Sequence, residues 1–188
     1  VNRPVDPSTP PVRAEAPLFH LALLNPEIPN NTGNIGRTAA ALGCRLHVIH
    51  PIGFDMDEKA RRRAGLDYWH LVDCREHADW DAYLAAERPR RLWLFSARAS
   101  RPHFDADFRP GDTLLFGKES TGVDPATAAW ADATYGPDCR LAIPMRAVEG
   151  MRSLNLATAV AIAAYEGFRQ VRARGELPAA HGPAHWAV

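Results

Sequence analysis

The chain has 188 residues, 46% of them hydrophobic and 23% charged, with 22 cationic and 22 anionic side chains. That size suits one domain with a sizeable core, and both fractions are ordinary for a soluble globular protein. No run of about 18 apolar residues is present, which excludes a membrane-spanning helix, and the polar, proline-rich start VNRPVDPSTPPVRAEAP lacks the apolar core of a secretion signal, so a cytosolic (cytoplasmic) protein is expected.

Cys44, Cys74 and Cys139 are odd in number, far apart and without a C-x-x-C pair, so neither a disulfide framework nor a metal site is expected. A formal charge of zero is unlike a strongly basic nucleic-acid binder. Lys59 and Lys118 are the only lysines, so 20 of the 22 cations are arginine. Arginine suits bidentate phosphate contacts. It also accompanies GC-rich coding, which is the main explanation for the bias. Arg61, Arg62 and Arg63, and Arg88, Arg90 and Arg91, are clusters able to form a basic face.

Residues 1–17 read as a disordered tail, because proline and polar side chains bury too little surface to order the backbone. Residues 175–188 read as a second tail, leaving a domain over 18–174. Within it, 18–25 (LFHLALLN) suits a short buried strand. A helix over 34–42 ends at Gly43. A strand at 45–50 (RLHVIH) precedes a short charged helix at 57–64. Residues 77–87 carry apolar side chains at helical spacing, and 91–96 (RLWLFS) and 113–117 (TLLFG) are strands. Asp124 as cap and Pro125 at the first position open a helix over 124–130. A strand at 139–143 leads to the longest helix, 154–174, apolar at Leu156, Val160, Ala164, Phe168 and Val171. Strands alternating with helices predict an α/β fold: a mostly parallel sheet with helices on both faces.

Ligands in such sheets bind beyond the carboxyl ends of the strands, and three polar, glycine-containing segments follow strands here. In NPEIPNNTGNIGR, Gly33 and Gly36 keep the backbone slim and Arg37 sits in the first helical turn expected there, which favours an anion such as a phosphate. An ordinary capped loop explains the segment equally well, and its spacing is not a dinucleotide fingerprint. FGKESTG is not a P-loop: five residues separate Gly111 from Gly117, and Glu119 follows Lys118 where Ser or Thr is needed. A glycine-flanked turn with one carboxylate suits a small ligand with hydroxyl or amino groups. In the third segment, Ile143-Pro144-Met145 is followed by Arg152-Ser153-Leu154-Asn155. There Ser153 is expected to cap the last helix, Asn155 to face a ligand from its first turn, and Arg152 to lie just outside it.

In this order, and at these strand ends, the three segments resemble the signature motifs of the SPOUT RNA methyltransferases. NPEIPNNTGNIGRTAAALGCRLHVIHPIGF and RRAGLDYW extend the resemblance to the tRNA (cytidine(34)-2′-O)-methyltransferase branch, the TrmL type, over roughly residues 20–170. The resemblance implies a C-terminal deep trefoil knot and a homodimer. It also implies S-adenosylmethionine (AdoMet) as methyl donor, with no metal, and the wobble nucleotide in the anticodon stem-loop of tRNA as substrate. Motif matching assigns Phe95, Gly117, Ile143 and Ser153 to the cofactor pocket, with Glu119, Met145, Leu154 and Asn155 as neighbours. It offers Asn31, Arg37, Arg152, Ser153 and Asn155 as catalytic positions and Arg37, Arg152 and Tyr165 as RNA-binding positions.

Arg37 matches the arginine assigned as base in related enzymes. A guanidinium is effectively never deprotonated in a protein, so Arg37 reads instead as a clamp on an RNA phosphate and an aid to the forming alkoxide. Tyr165 reads equally as a packing residue. Trp69 and Trp80 read as packing residues, and His20, His47, His50, His70, His77 and His103 show no ligand-like grouping with carboxylates. The stripe Leu156, Val160, Ala164 suits a partner subunit as well as the chain's own sheet. Three alternatives stay open: a SPOUT enzyme for another tRNA or rRNA nucleotide, a non-catalytic RNA-binding module of the same fold, and, disfavoured by its missing glycine fingerprint, a nicotinamide-dependent enzyme.

Overall fold

The computed structural model describes residues 16–56 and 68–178. The expected helix at 57–64, with Lys59 and the arginines at 61–63, lies outside these residues, as do most of the two expected tails, including His181 and His185.

Six strands form one parallel sheet: β1 (Phe19–Leu24), β2 (Arg45–Ile49), β3 (Cys74–His77), β4 (Leu92–Phe95), β5 (Asp112–Phe116) and β6 (Arg140–Leu141), in the order β3-β2-β1-β5-β4-β6. Four α-helices are present among the described residues: α1 (Pro29–Leu42), α2 (Trp80–Glu87), α3 (Pro125–Tyr135) and α4 (Leu156–Ala173). Alternation along the strands divides the core between the two faces. Phe19, Leu21, Leu23, Leu114 and Phe116 pack with Ile35 and Ala39 of α1 and with Val160 and Ala164 of α4. Ala22, Leu24, Leu94 and Leu115 pack with Tyr83 of α2 and with Ala128 and Ala131 of α3. The expected α/β architecture, with helices on both faces of a parallel sheet, is therefore present.

Several boundaries differ from expectation for local reasons. Helix α1 begins at Pro29, not at 34. Its N-cap, Ile28, offers no side-chain acceptor, and a carboxylate from a distant loop does the capping. Gly43 closes α1 in the left-handed conformation, φ 61°, as expected. Strand β3 went unforeseen because its sequence, CREH, is polar; it is the sheet's edge, and only His77 in it is buried. Residue 77 thus belongs to a strand, and α2 starts after the cap Asp79. Helix α3 runs to Tyr135 behind the expected cap Asp124. Helix α4 is capped by Asn155, whose side chain accepts from the Thr158 amide, and not by Ser153. The α4 stripe Leu156, Val160, Ala164 packs on the chain's own sheet, where Gly167 admits the Phe19 ring so closely that a Cβ would lie 2.6 Å from it. Beyond α4, Glu176 pairs with Arg109 at 2.7 Å and Leu177 packs against the core.

Candidate active site

Strand order reverses between β1 and β5, where Leu23 lies opposite Phe116. Their carboxyl ends open side by side, and two motif loops leave from there, 25–28 from β1 and 117–122 from β5. Each loop grips the other through a carboxylate. Glu119 accepts hydrogen bonds from the backbone amides of Glu27 (2.8 Å) and Ile28 (3.3 Å) and from Asn31 Nδ2 (2.8 Å). It therefore serves the free amides at the start of α1, where a negative charge also suits the helix dipole. In return, Glu27 accepts from the Ser120 amide and hydroxyl, both at 2.9 Å. The Ser120 hydroxyl, followed by its amide, holds the Glu27 carboxyl below its ordinary pKa.

The third segment joins through Asn155. Its Oδ1 caps α4, and its Nδ2 donates to Asn31 Oδ1 at 2.8 Å. Asn31, only 6% exposed, thus spends its amide donor on Glu119 and its carbonyl on Asn155. One hydrogen-bonded line, Glu119–Asn31–Asn155, ties together all three segments. Gly117 is buried, and the chain folds back tightly over it: a Cβ there would lie 2.1 Å from the backbone of Gly122 and Val123. Lys118 and Gly122 bridge in antiparallel fashion to complete this turn.

Around these groups, Phe95 at the end of β4 stacks on Phe116 with ring centroids 4.6 Å apart. Ile143 and Leu154 are half-buried and Met145 is 37% exposed. The backbone groups of Ile143 and Met145 form no hydrogen bond among the described residues. Arg152 and Ser153 are exposed beside them in sequence. Apolar side chains accompanied by unspent backbone donors and acceptors are the chemistry that a nucleoside-like group takes.

Arg37 stands apart from this line. It lies six residues beyond Asn31 on α1, about 120° around the helix axis. It is exposed, and its guanidinium lies over the Tyr68 ring, 4.2 Å from the centroid. Tyr165, 52% exposed, stands on the outer side of α4, its ring in an edge-type contact with Phe168. Within one chain the expected site residues therefore fall into a connected group, Asn31, Glu119 and Asn155, and others that this network does not reach, Arg37 and Tyr165.

A family model, the SpoU rRNA Methylase family, matches residues 18–165. This chain belongs to that family. The SpoU-family chain is 44% identical over 160 residues to a tRNA (cytidine(34)-2′-O)-methyltransferase of Burkholderia pseudomallei, covering 84% of this chain and 99% of that protein. It is 41% identical over 154 residues to the enzyme of the same name from Escherichia coli K12, covering 82% and 94%. A solved structure described as giving insight into 2-OH methylation of C/U34 on tRNA superposes with a TM-score of 0.73 at 48% identity, covering 83% of this chain and 97% of that one. The SpoU methyltransferase AviRb of Streptomyces viridochromogenes, solved with AdoMet, matches at 25% identity and TM-score 0.67, covering 86% and 64%.

The SpoU-family chain also holds a cluster that sequence reading missed. His20 Nδ1 lies 2.9 Å from His47 Nε2, and His47 Nδ1 lies 3.0 Å from His77 Nε2. Glu87 stands close by, with ligand-type atoms of His20, His47 and Glu87 all within 4.8 Å of one another. The expectation that these histidines have no grouping with a carboxylate is therefore corrected. It failed because the three rings come from three strands and meet only through the sheet register, which sets them diagonally on one face. Burial first, then the neighbouring histidines and Arg45, pushes the pKa of His47 down to about 2. Glu87 is held by Arg75 at 2.8 Å. Bonded in a chain beside Tyr83, His47 and His77 are satisfied buried residues, with half-buried His20 at the end of the chain.

Proposed function

We propose that this chain transfers a methyl group from AdoMet to the ribose 2′-hydroxyl of the wobble nucleotide, position 34, of tRNA. The observation that carries the reading is the Glu119–Asn31–Asn155 line, which assembles the three motif segments at the carboxyl ends of adjacent strands. The relatives named for cytidine-34 methylation, matched over nearly their whole length, support the choice of nucleotide.

When bound, AdoMet supplies an electrophilic methyl group on a sulfonium, so no acid is needed to activate the donor. Phe95, Ile143, Met145 and Leu154 provide the apolar wall for the adenosine, with backbone groups near Gly117 and Ile143 for the base and Ser153 at the rim. The closed turn over Gly117 and the Glu27–Glu119 exchange hold that wall rigid. Asn31 and Asn155 fix each other's orientation and keep the start of α4 against the start of α1. The 2′-hydroxyl must lose its proton as its oxygen bonds the methyl carbon. Arg37, permanently charged, clamps an RNA phosphate and favours the developing alkoxide, and the proton passes to a phosphate oxygen or another acceptor. Arg152 and Tyr165 add RNA contacts.

Because Arg37 lies around α1 from the Asn31–Asn155 contact, the site is completed in a homodimer, one subunit offering Arg37 to the cofactor pocket of the other. The fold carries the C-terminal deep trefoil knot of its class and works on tRNA in the cytoplasm through the anticodon stem-loop. Incubation with labelled AdoMet and total tRNA, followed by mapping of the methyl group, tests the reading. A 2′-O-methyl at position 34 is expected. Label at another nucleotide would move the chain to the neighbouring specificity, and no transfer despite AdoMet binding would make it a non-catalytic RNA-binding module.

A further inference from the structure

We infer that Tyr68 is the positioning residue that presents Arg37 to RNA, an inference resting on the reading of Arg37 as the RNA clamp. Tyr68 spans one turn of α1. Its hydroxyl donates to the Gly33 carbonyl at 2.8 Å, and its ring lies beneath the Arg37 guanidinium at 4.2 Å. Gly33 is four residues before Arg37, so its carbonyl is the one that helical geometry assigns to the Arg37 amide. The same phenol therefore grips the backbone to which Arg37 is bonded and the plane at the end of its side chain. The next residue, Trp69, fixes the approach: its ring fills the space beside Gly36, where a Cβ would lie 2.6 Å away. The glycine at 36 lets this aromatic turn lie directly on the helix.

The way Arg37 is held differs from that of the other stacked arginines among the described residues. Arg91 and Arg101 both lie over Trp93 at 5.5 Å, yet each also spends its donors, Arg91 on Asp112 and Arg101 on the carbonyls of Asp105 and Asp138. Among the described residues Arg37 has no ion pair and no side-chain hydrogen bond, although its guanidinium is held in place. A carboxylate partner would orient the group but would occupy the donor fork and cancel its charge. An aromatic face holds the plane by cation–π attraction and leaves all five N–H groups available for a phosphate. The arrangement lowers the ordering cost of binding RNA without taxing the contact itself.

The test is steady-state methylation of a tRNA anticodon stem-loop by the full chain, with AdoMet affinity and Tm measured in parallel. Tyr68→Leu is expected to lower kcat/KM for RNA about tenfold and to leave AdoMet affinity unchanged. Tyr68→Phe, which keeps the face and loses the hydroxyl, restores most of the rate. In an Arg37→Ala background, Tyr68→Leu has no further effect. Replacing Tyr68 with phenylalanines of increasing ring fluorination keeps the volume while draining the ring's negative face, so log kcat/KM should fall stepwise, a readout that packing alone would not move. A flat fluorination series, or an undiminished Tyr68→Leu effect in the Arg37→Ala background, overturns the inference. Full activity of Arg37→Ala by itself would instead overturn the reading of Arg37 as the clamp.

Discussion

Glu27 and Glu119 cap each other's loops: the Glu119 carboxylate receives the backbone amide of Glu27, and the Glu27 carboxylate receives the amide and hydroxyl of Ser120. Removing either one releases backbone donors at the point where β1 and β5 open into the site. Glu119→Ala should therefore cost about 2 kcal/mol of stability, read as a lowered midpoint in chemical denaturation, and should weaken AdoMet binding. An unchanged midpoint would mean that water replaces the carboxylate without loss.

Asn155 has two separable duties. Its Oδ1 caps α4 and its Nδ2 reaches Asn31. In Asn155→Asp the capping oxygen remains, while the donor is replaced by a charge facing the Asn31 carbonyl oxygen. Stability should stay close to the parent, with methylation reduced about tenfold or more. Equal activity would show that the link between the two motif segments does not matter for transfer.

Arg37→Lys keeps the charge and loses the planar fork. Methylation should fall about a hundredfold with AdoMet affinity retained, measured by single-turnover transfer and calorimetric titration. Near-full activity would reduce Arg37 to a general source of positive charge.

The histidine chain makes stability fall in acid. In the folded state burial holds His47 neutral down to about pH 2, and burial also lowers the pKa values of His20 and His77. In the unfolded chain histidine takes up a proton near pH 6.5. Below that value the unfolded state binds more protons, so stability is fully present above pH 6.5 and declines as the pH drops, by up to about 1.4 kcal/mol per pH unit for His47. His47→Gln should flatten the decline between pH 6.5 and 4.5 in thermal melts. Parallel slopes for the two proteins would count against this account.

Much of the fold was legible because parallel strands buried on both faces are written as apolar runs, as in LFHLALL and DTLLF. The start of α1 was not, since its capping group, Glu119, lies 91 residues beyond the N-cap Ile28; local sequence around Pro29 contains nothing that does the work. Strand β3 was hidden by its edge position, which lets CREH stay polar. The site residues Asn31, Glu119 and Asn155 were legible as motif positions, but their mutual contact required the strand order. Tyr68 lay within a recognisable segment, yet only its placement over Gly33 and Arg37 gives it a role.

Asn31 and Asn155 are separated by 124 residues of chain, and their bond is what closes the site. During synthesis the first motif loop must wait, its helix uncapped, until β5 has emerged and slotted beside β1 and the segment before α4 has followed. A nascent or truncated chain ending before residue 155 would contain all six strands and the Glu119–Asn31 contact but not the Asn155 link that joins the third segment to them. Contacts this distant close late and slowly in folding. Substrate capture is thereby confined to a chain whose last helix is already in place.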